Sequence, residues 1–172
     1  MSAPDVLAGG RGVSPAYFSA ISETLSKPEC YNPVDQARGE HLSKIRVLLA
    51  DDNAQVLEYV RTFLSTDSCE VVGAVTDGQA ALDAATQLQP EVVVLDLSMP
   101  VLNGIEAARR MLEVRPSTRI VFLTVEKDPD ACRAALEAGA CGYVLKPRLA
   151  TDLIPAIELA GEGRRFVSPG CE

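Results

Sequence analysis

Five polar residues stand out because each closes an apolar run: Asp51 and Asp52 follow "RVLLA", Asp96 follows "EVVVL", Thr124 ends "RIVFLT" and Lys146 ends "GYVLK". Taken singly, each has an ordinary structural use. Asp52 or Asn53 can cap the helical pattern that begins at once after them, and Asp96 can open the turn before "LSMP". Thr124 can simply end a strand, and Lys146 can sit in solvent. Brought together, they make a reagent set. Three close carboxylates repel one another and raise one another's pKa unless a cation joins them. A hard cation such as Mg2+, which takes carboxylates, waters and phosphate oxygens, resolves that conflict. An ammonium gives a phosphoryl group a fixed positive charge, and a threonine hydroxyl can donate to its oxygens. A carboxylate can itself be phosphorylated to an acyl phosphate. Asp96, at the end of the most apolar run, is the candidate nucleophile.

The elements that must position these residues are legible from periodicity. Short β-rich runs occur at 45–50, 70–75, 91–96, 119–124 and 142–146, each followed by a helical pattern. In the first helix Val56, Leu57, Val60, Phe63 and Leu64 form one apolar stripe. The helical stretches after the second and third runs stop before Pro90 and Pro116, and the fourth opens at Asp128-Pro129 and stops at Gly139. A fifth covers about 151–161, with Pro155 near its first turn blurring the start. Five β/α units imply a parallel, doubly wound sheet covered by helices on both faces, an α/β fold. The functional crevice of such a sheet lies beyond the C-terminal ends of its strands. All five polar residues lie at those ends, so Asp51, Asp52, Asp96, Thr124 and Lys146 are expected to converge.

Composition narrows the alternatives. The 172 residues are 47% hydrophobic and 23% charged, with a formal net charge of −8, which disfavours general attraction to nucleic acid or to an anionic membrane. No apolar run approaches the roughly 18–20 residues that cross a bilayer. "MSAPDVLAGG" lacks a basic leader with an apolar core, so a cytoplasmic location is expected. Cys30, Cys69, Cys132, Cys141 and Cys171 form no C-x-x-C pair, and His41 is the one histidine. Free thiols are expected, and neither a zinc site nor a histidine-based nucleophile is supported. No G-x-x-x-x-G-K-[ST] loop is present, so the phosphoryl group must come from a donor outside the chain.

The motifs "LLADDN", "VVVLDLSMPVLNG", "VFLT" and "GYVLKP", within about residues 44–163, resemble the receiver domain of two-component response regulators. The resemblance implies a flavodoxin-like five-stranded sheet of order 2-1-3-4-5. It implies Asp96 as phospho-acceptor, with Asp51, Asp52, Asp96 and the main-chain carbonyl of Ser98 as Mg2+ ligands. Thr124 and Lys146 then contact the phosphoryl group, Thr124 and Tyr143 form the switch, and the Lys146-Pro147 bond is usually cis. The implied partners are a sensor histidine kinase or phosphotransfer protein and a downstream protein target. That target would bind the face of the fourth helix, fifth strand and fifth helix, with a homodimer possible. The protein is then no enzyme beyond catalysing its own phosphorylation and dephosphorylation. A phosphorylation-independent adaptor with the same shape is the alternative. A haloacid-dehalogenase-like phosphatase would want an aspartate where Ser98 stands.

Two stretches lie outside that resemblance. Residues 1–43 form an N-terminal extension, read as a mobile tail or as one short helix over "SPAYFSAISETLSK". Residues 164–172 read as a linker remnant: "LATDLIPAIELAGEGRRFVSP" resembles the receiver subgroup that carries a C-terminal helix-turn-helix, which does not follow here. Direct nucleic-acid binding by this chain is therefore not expected.

Overall fold

Side chains alternate along a strand, so a central strand with apolar residues at every position must be covered on both faces. The computed structural model describes residues 43–65 and 68–171. The readings of residues 1–42, including Cys30, His41 and the short helix, lie outside the described residues. Strand β1 (Ile45–Ala50) leads to α1 (Ala54–Phe63), β2 (Cys69–Val75) to α2 (Gly78–Leu88), and β3 (Val92–Leu95) to α3 (Gly104–Val114). Then come β4 (Arg119–Thr124), α4 (Pro129–Glu137), β5 (Gly142–Leu145), a 3-10 turn (Lys146–Arg148), α5 (Leu149–Gly161) and β6 (Phe166–Val167).

The strands form one sheet of order β2-β1-β3-β4-β5-β6, and every pairing is parallel. The expected five-stranded order 2-1-3-4-5 is present and is corrected by a sixth strand at its far edge. Phe166 and Val167 lie opposite Gly142 and Tyr143. Two residues carry no readable periodicity, so nothing in the sequence pattern distinguished this strand from a linker.

Alternate strand residues build two cores. Leu48, Val93, Leu95, Ile120, Phe122 and Tyr143 face α2, α3 and α4, meeting Ala81, Ala85, Ala107, Met111, Cys132 and Ala135. Val47, Leu49, Val92, Val94, Val121 and Leu123 face α1 and α5, meeting Leu57, Val60, Leu153, Ala156 and Ile157. Helix α5 begins at Leu149, so Pro155 lies well inside it, on the exposed side. A proline there costs about 3 kcal/mol. Burying Leu153 and Ile157 around it returns about 1.5–3 kcal/mol each, before counting Ala156 and Ala160.

The helix starts decide the first ambiguity of the sequence. Asn53, not Asp52, caps α1: its side chain accepts hydrogen bonds from the main-chain N–H of Gln55 and Val56. Asp77, Asn103 and Asp128 cap α2, α3 and α4 in the same manner. Asp52 is left without a capping role. Gly104 starts α3 because only a residue without Cβ fits there: a Cβ would stand 2.1 Å from the Asp96 carbonyl oxygen.

Candidate functional site

Register brings the polar residues to one rim. Ala50 pairs with Leu95, Leu95 with Phe122, and Thr124 with Leu145, so the residues closing β1, β3, β4 and β5 emerge side by side. Asp51, Asp96 and Thr124 are 4%, 5% and 1% exposed, whereas Asp52 faces solvent. Carboxylate oxygens of Asp51, Asp52 and Asp96 all lie within 4.8 Å of one another. The Lys146 ammonium is 2.7 Å from Asp51 Oδ2 and 3.5 Å from Asp96 Oδ1. Asp51 Oδ1 accepts a hydrogen bond from the Asn53 main-chain N–H, which fixes that carboxylate against the start of α1.

One lysine does not satisfy two buried carboxylates. Asp51 Oδ2 and Asp96 Oδ1 are both fully enclosed and neither accepts a well-formed hydrogen bond, although the ammonium charge is close to each. Burial is the largest influence on Asp96 and pushes its carboxyl above the usual carboxylate range. Lys146 opposes that shift, Asp51 adds to it, and the Leu97 main-chain hydrogen bond opposes it again. Two buried oxygens that share a single ammonium, beside a third and exposed carboxylate, are a donor set suited to a hard cation. The residues present therefore fit Mg2+.

The rest of the rim is arranged around this acidic centre. Thr124 Oγ1 accepts from the Glu126 main-chain N–H at 3.2 Å. Tyr143 is 0% exposed and donates its hydroxyl proton to the Glu126 carbonyl oxygen at 2.9 Å. Burial pushes the Tyr143 phenol up, which keeps that proton in place. The Tyr143 ring, at the position that the resemblance implies for the switch, is already inside, in one core cluster with Phe122, Cys132 and Cys171. Ser98 lies exposed two residues beyond Asp96. No cis peptide occurs among the described residues, so the Lys146-Pro147 bond is trans, correcting the expectation from resemblance. Pro147 sits inside the 3-10 turn that feeds α5, where trans backbone is required.

Two features were not legible beforehand. Val101, in the loop between Asp96 and α3, has φ +67 and is 84% exposed, a strained conformation for a β-branched residue. Asp152 of α5 is 4% exposed and holds a network joining α5, β5 and β6. It accepts from Arg148 Nε at 2.7 Å, Thr151 Oγ1 at 2.6 Å and Ser168 Oγ at 2.6 Å. Ser168 Oγ in turn accepts from the Leu145 main-chain N–H. A buried aspartate next to a threonine in a helix carries no sequence signal apart from the arginine four residues before it.

A family model described as "Response regulator receiver domain" matches residues 47–158. This chain belongs to the response regulator receiver family. It is 39% identical over 127 residues to the Response regulator GacA of Pseudomonas viridiflava, covering 73% of this chain and 59% of that protein. It is 40% identical over 115 residues to the Transcriptional regulatory protein PdtaR of Mycobacterium tuberculosis, covering 67% and 56%. A crystal structure of a two-component response regulator of the LuxR family from Aurantimonas sp. SI85-9A1 superposes with TM-score 0.71 at 34% identity, covering 74% of this chain and 91% of that one. The receiver chain thus spans about three-fifths of the curated relatives it matches. Among the described residues no helix is long and apolar enough to cross a membrane.

Proposed function

We propose that this receiver takes a phosphoryl group on Asp96 from a histidine kinase or phosphotransfer protein, and that the modification changes which protein partner its α4–β5–α5 face prefers. The observation that supports this most is the pair of enclosed, donor-poor oxygens of Asp51 and Asp96 against the Lys146 ammonium. A purely structural site would not bury two carboxylates around one cation, because the desolvation of each costs several kcal/mol.

Asp51, Asp52, Asp96 and the Ser98 main-chain carbonyl are the residues that would hold Mg2+. Bound there, Mg2+ supplies neutralising charge for the carboxylates and for phosphate oxygens. The Asp96 carboxylate attacks the phosphorus of a phosphohistidine in line, the P–N bond breaks, and an acyl phosphate forms. Lys146 places its charge on the transferring oxygens, as preorganised electrostatic stabilisation. Thr124 gives up its hydrogen bond from Glu126 and donates to a phosphoryl oxygen. Tyr143 is tied to the same residue, Glu126, so the Thr124 movement is transmitted to the β4–α4 loop. The outcome is a population shift between two packings, and carrying it from 1:99 to 99:1 takes about 5.5 kcal/mol of differential stabilisation. The chain catalyses no reaction other than its own phosphorylation and dephosphorylation, and it acts in the cytoplasm.

Incubation with acetyl phosphate and Mg2+ tests the proposal by intact mass. One phosphate adduct on the wild type and none on Asp96→Asn is the expected pair of results. An unmodified wild type, or an undiminished adduct on the variant, would overturn it.

A further inference from the structure

Just past β6, residues 168–171 stay against the domain. The Ser168 main-chain N–H donates to the Tyr143 carbonyl oxygen, and its side chain closes onto Asp152. Gly170 then adopts φ +100, a conformation that favours glycine, and Cys171 packs back into the domain at 4% exposure. There its thiol meets Cys132 of α4, which is 3% exposed, and the two thiols share a hydrogen bond. Both line one open cavity of about 500 Å3, bordered by Pro129, Leu136 and Arg165. Cys69 and Cys141 pack in the core on the opposite face of the sheet, out of reach of this pair.

We propose that Cys132 and Cys171 form a dithiol site that closes to an intramolecular disulfide by exchange with a low-molecular-weight disulfide, tethering the C-terminal segment to α4. Both residues border the cavity, so a small disulfide held there lies next to the pair. Reversible disulfides in reducing compartments are typically of this sensing kind.

The chemistry runs in two exchanges. The Cys171 thiolate attacks one sulfur of the small disulfide, a mixed disulfide forms, and one small thiolate leaves and takes up the proton that Cys171 lost. The Cys132 thiolate then attacks the Cys171 sulfur, the intramolecular S–S bond forms, and the second small thiol leaves with the Cys132 proton. Two protein thiols are oxidised and one small disulfide is reduced to two thiols. Burial pushes both thiols up, Cys132 to about 11. For Cys171 the hydrogen bond from Cys132 and the charge of Lys127 oppose that rise, so Cys171 is the first attacker.

The test uses the full chain in a Cys30→Ser background, taken below as the wild type because Cys30 lies outside the described residues, with oxidised glutathione, followed by alkylation, intact mass and peptide mapping without reduction. The expected product has lost two hydrogen atoms and yields a peptide linking Cys132 to Cys171, reversed by a dithiol. In Cys132→Ser the reaction stops at one glutathione adduct on Cys171; in Cys171→Ser the mass is unchanged. On oxidation of the wild type, amide hydrogen exchange over residues 164–168 slows by at least about tenfold, since the segment can no longer open independently. No linked peptide in the wild type, or a link through another cysteine, would overturn the assignment. Unchanged exchange over 164–168 in a fully linked sample would overturn the tether.

Discussion

Removing the Ser168 hydroxyl should unfasten the edge of the domain, and the cost can be worked from the geometry. Burial of Asp152 would by itself raise its pKa, but hydrogen bonds from Arg148, Ser168 and Thr151 outweigh burial and hold the carboxyl at about 2. Against an ordinary value of 3.8, that depression corresponds to about 2 kcal/mol of folding stability at neutral pH. The figure is an upper bound, because the Arg148 side chain is 44% exposed and its share is screened. Ser168→Ala deletes a charge-assisted bond of 2.6 Å and leaves the Leu145 N–H without its acceptor. The expected loss is about 2 kcal/mol. The pH dependence has a definite sign. A carboxyl whose folded pKa is depressed contributes fully above its unfolded value, and that contribution fades as pH falls through the folded value. The deficit of Ser168→Ala should therefore be full at pH 7 and shrink between about pH 4 and pH 2. Urea unfolding of both proteins across that range is the assay. A deficit below about 0.5 kcal/mol at pH 7, or one unchanged on acidification, would show that the Ser168–Asp152 bond does not fasten this edge.

Other outcomes follow from single positions. Gly104→Ala drives a Cβ into the Asp96 carbonyl, so the variant should lose several kcal/mol, roughly 3 or more, in chemical unfolding. Val101→Gly should relieve a strained φ and raise stability by about 1 kcal/mol, measured the same way. Asp52→Asn should leave the fold intact but abolish stabilisation by MgCl2. In the wild type that stabilisation reaches about 1.4 kcal/mol at ten times the dissociation constant, read as a shift in unfolding midpoint.

Much of this molecule could be read before its structure was known, for identifiable reasons. Strands β1 and β4 were placed to the residue because each is built on a short apolar run, 47–50 and 120–123, that a polar residue closes. The convergence of Asp51, Asp96, Thr124 and Lys146 was legible because a parallel sheet forces successive strand ends to one side. What remained open depended on side-chain geometry. Asp52 and Asn53 are equally good cap residues on paper, and only the bonds from Gln55 and Val56 show that Asn53 caps. Asp152 and Ser168 are sixteen residues apart in unrelated elements, and their pairing exists only once β6 lies along β5. The resemblance implies a switch position at Tyr143, but its enclosed ring was not legible, because Cys171, from a segment without periodicity, joins the same core cluster.

Asp96, among three clustered aspartates, is the residue proposed to take up phosphate. Borohydride reduction after exposure to acetyl phosphate and Mg2+ converts an aspartyl phosphate to homoserine, which sequencing by mass spectrometry locates. Homoserine at position 96 and unmodified aspartate at 51 and 52 is the predicted result. Homoserine at 51 or 52, or at none of the three in a protein that remains folded, would contradict it.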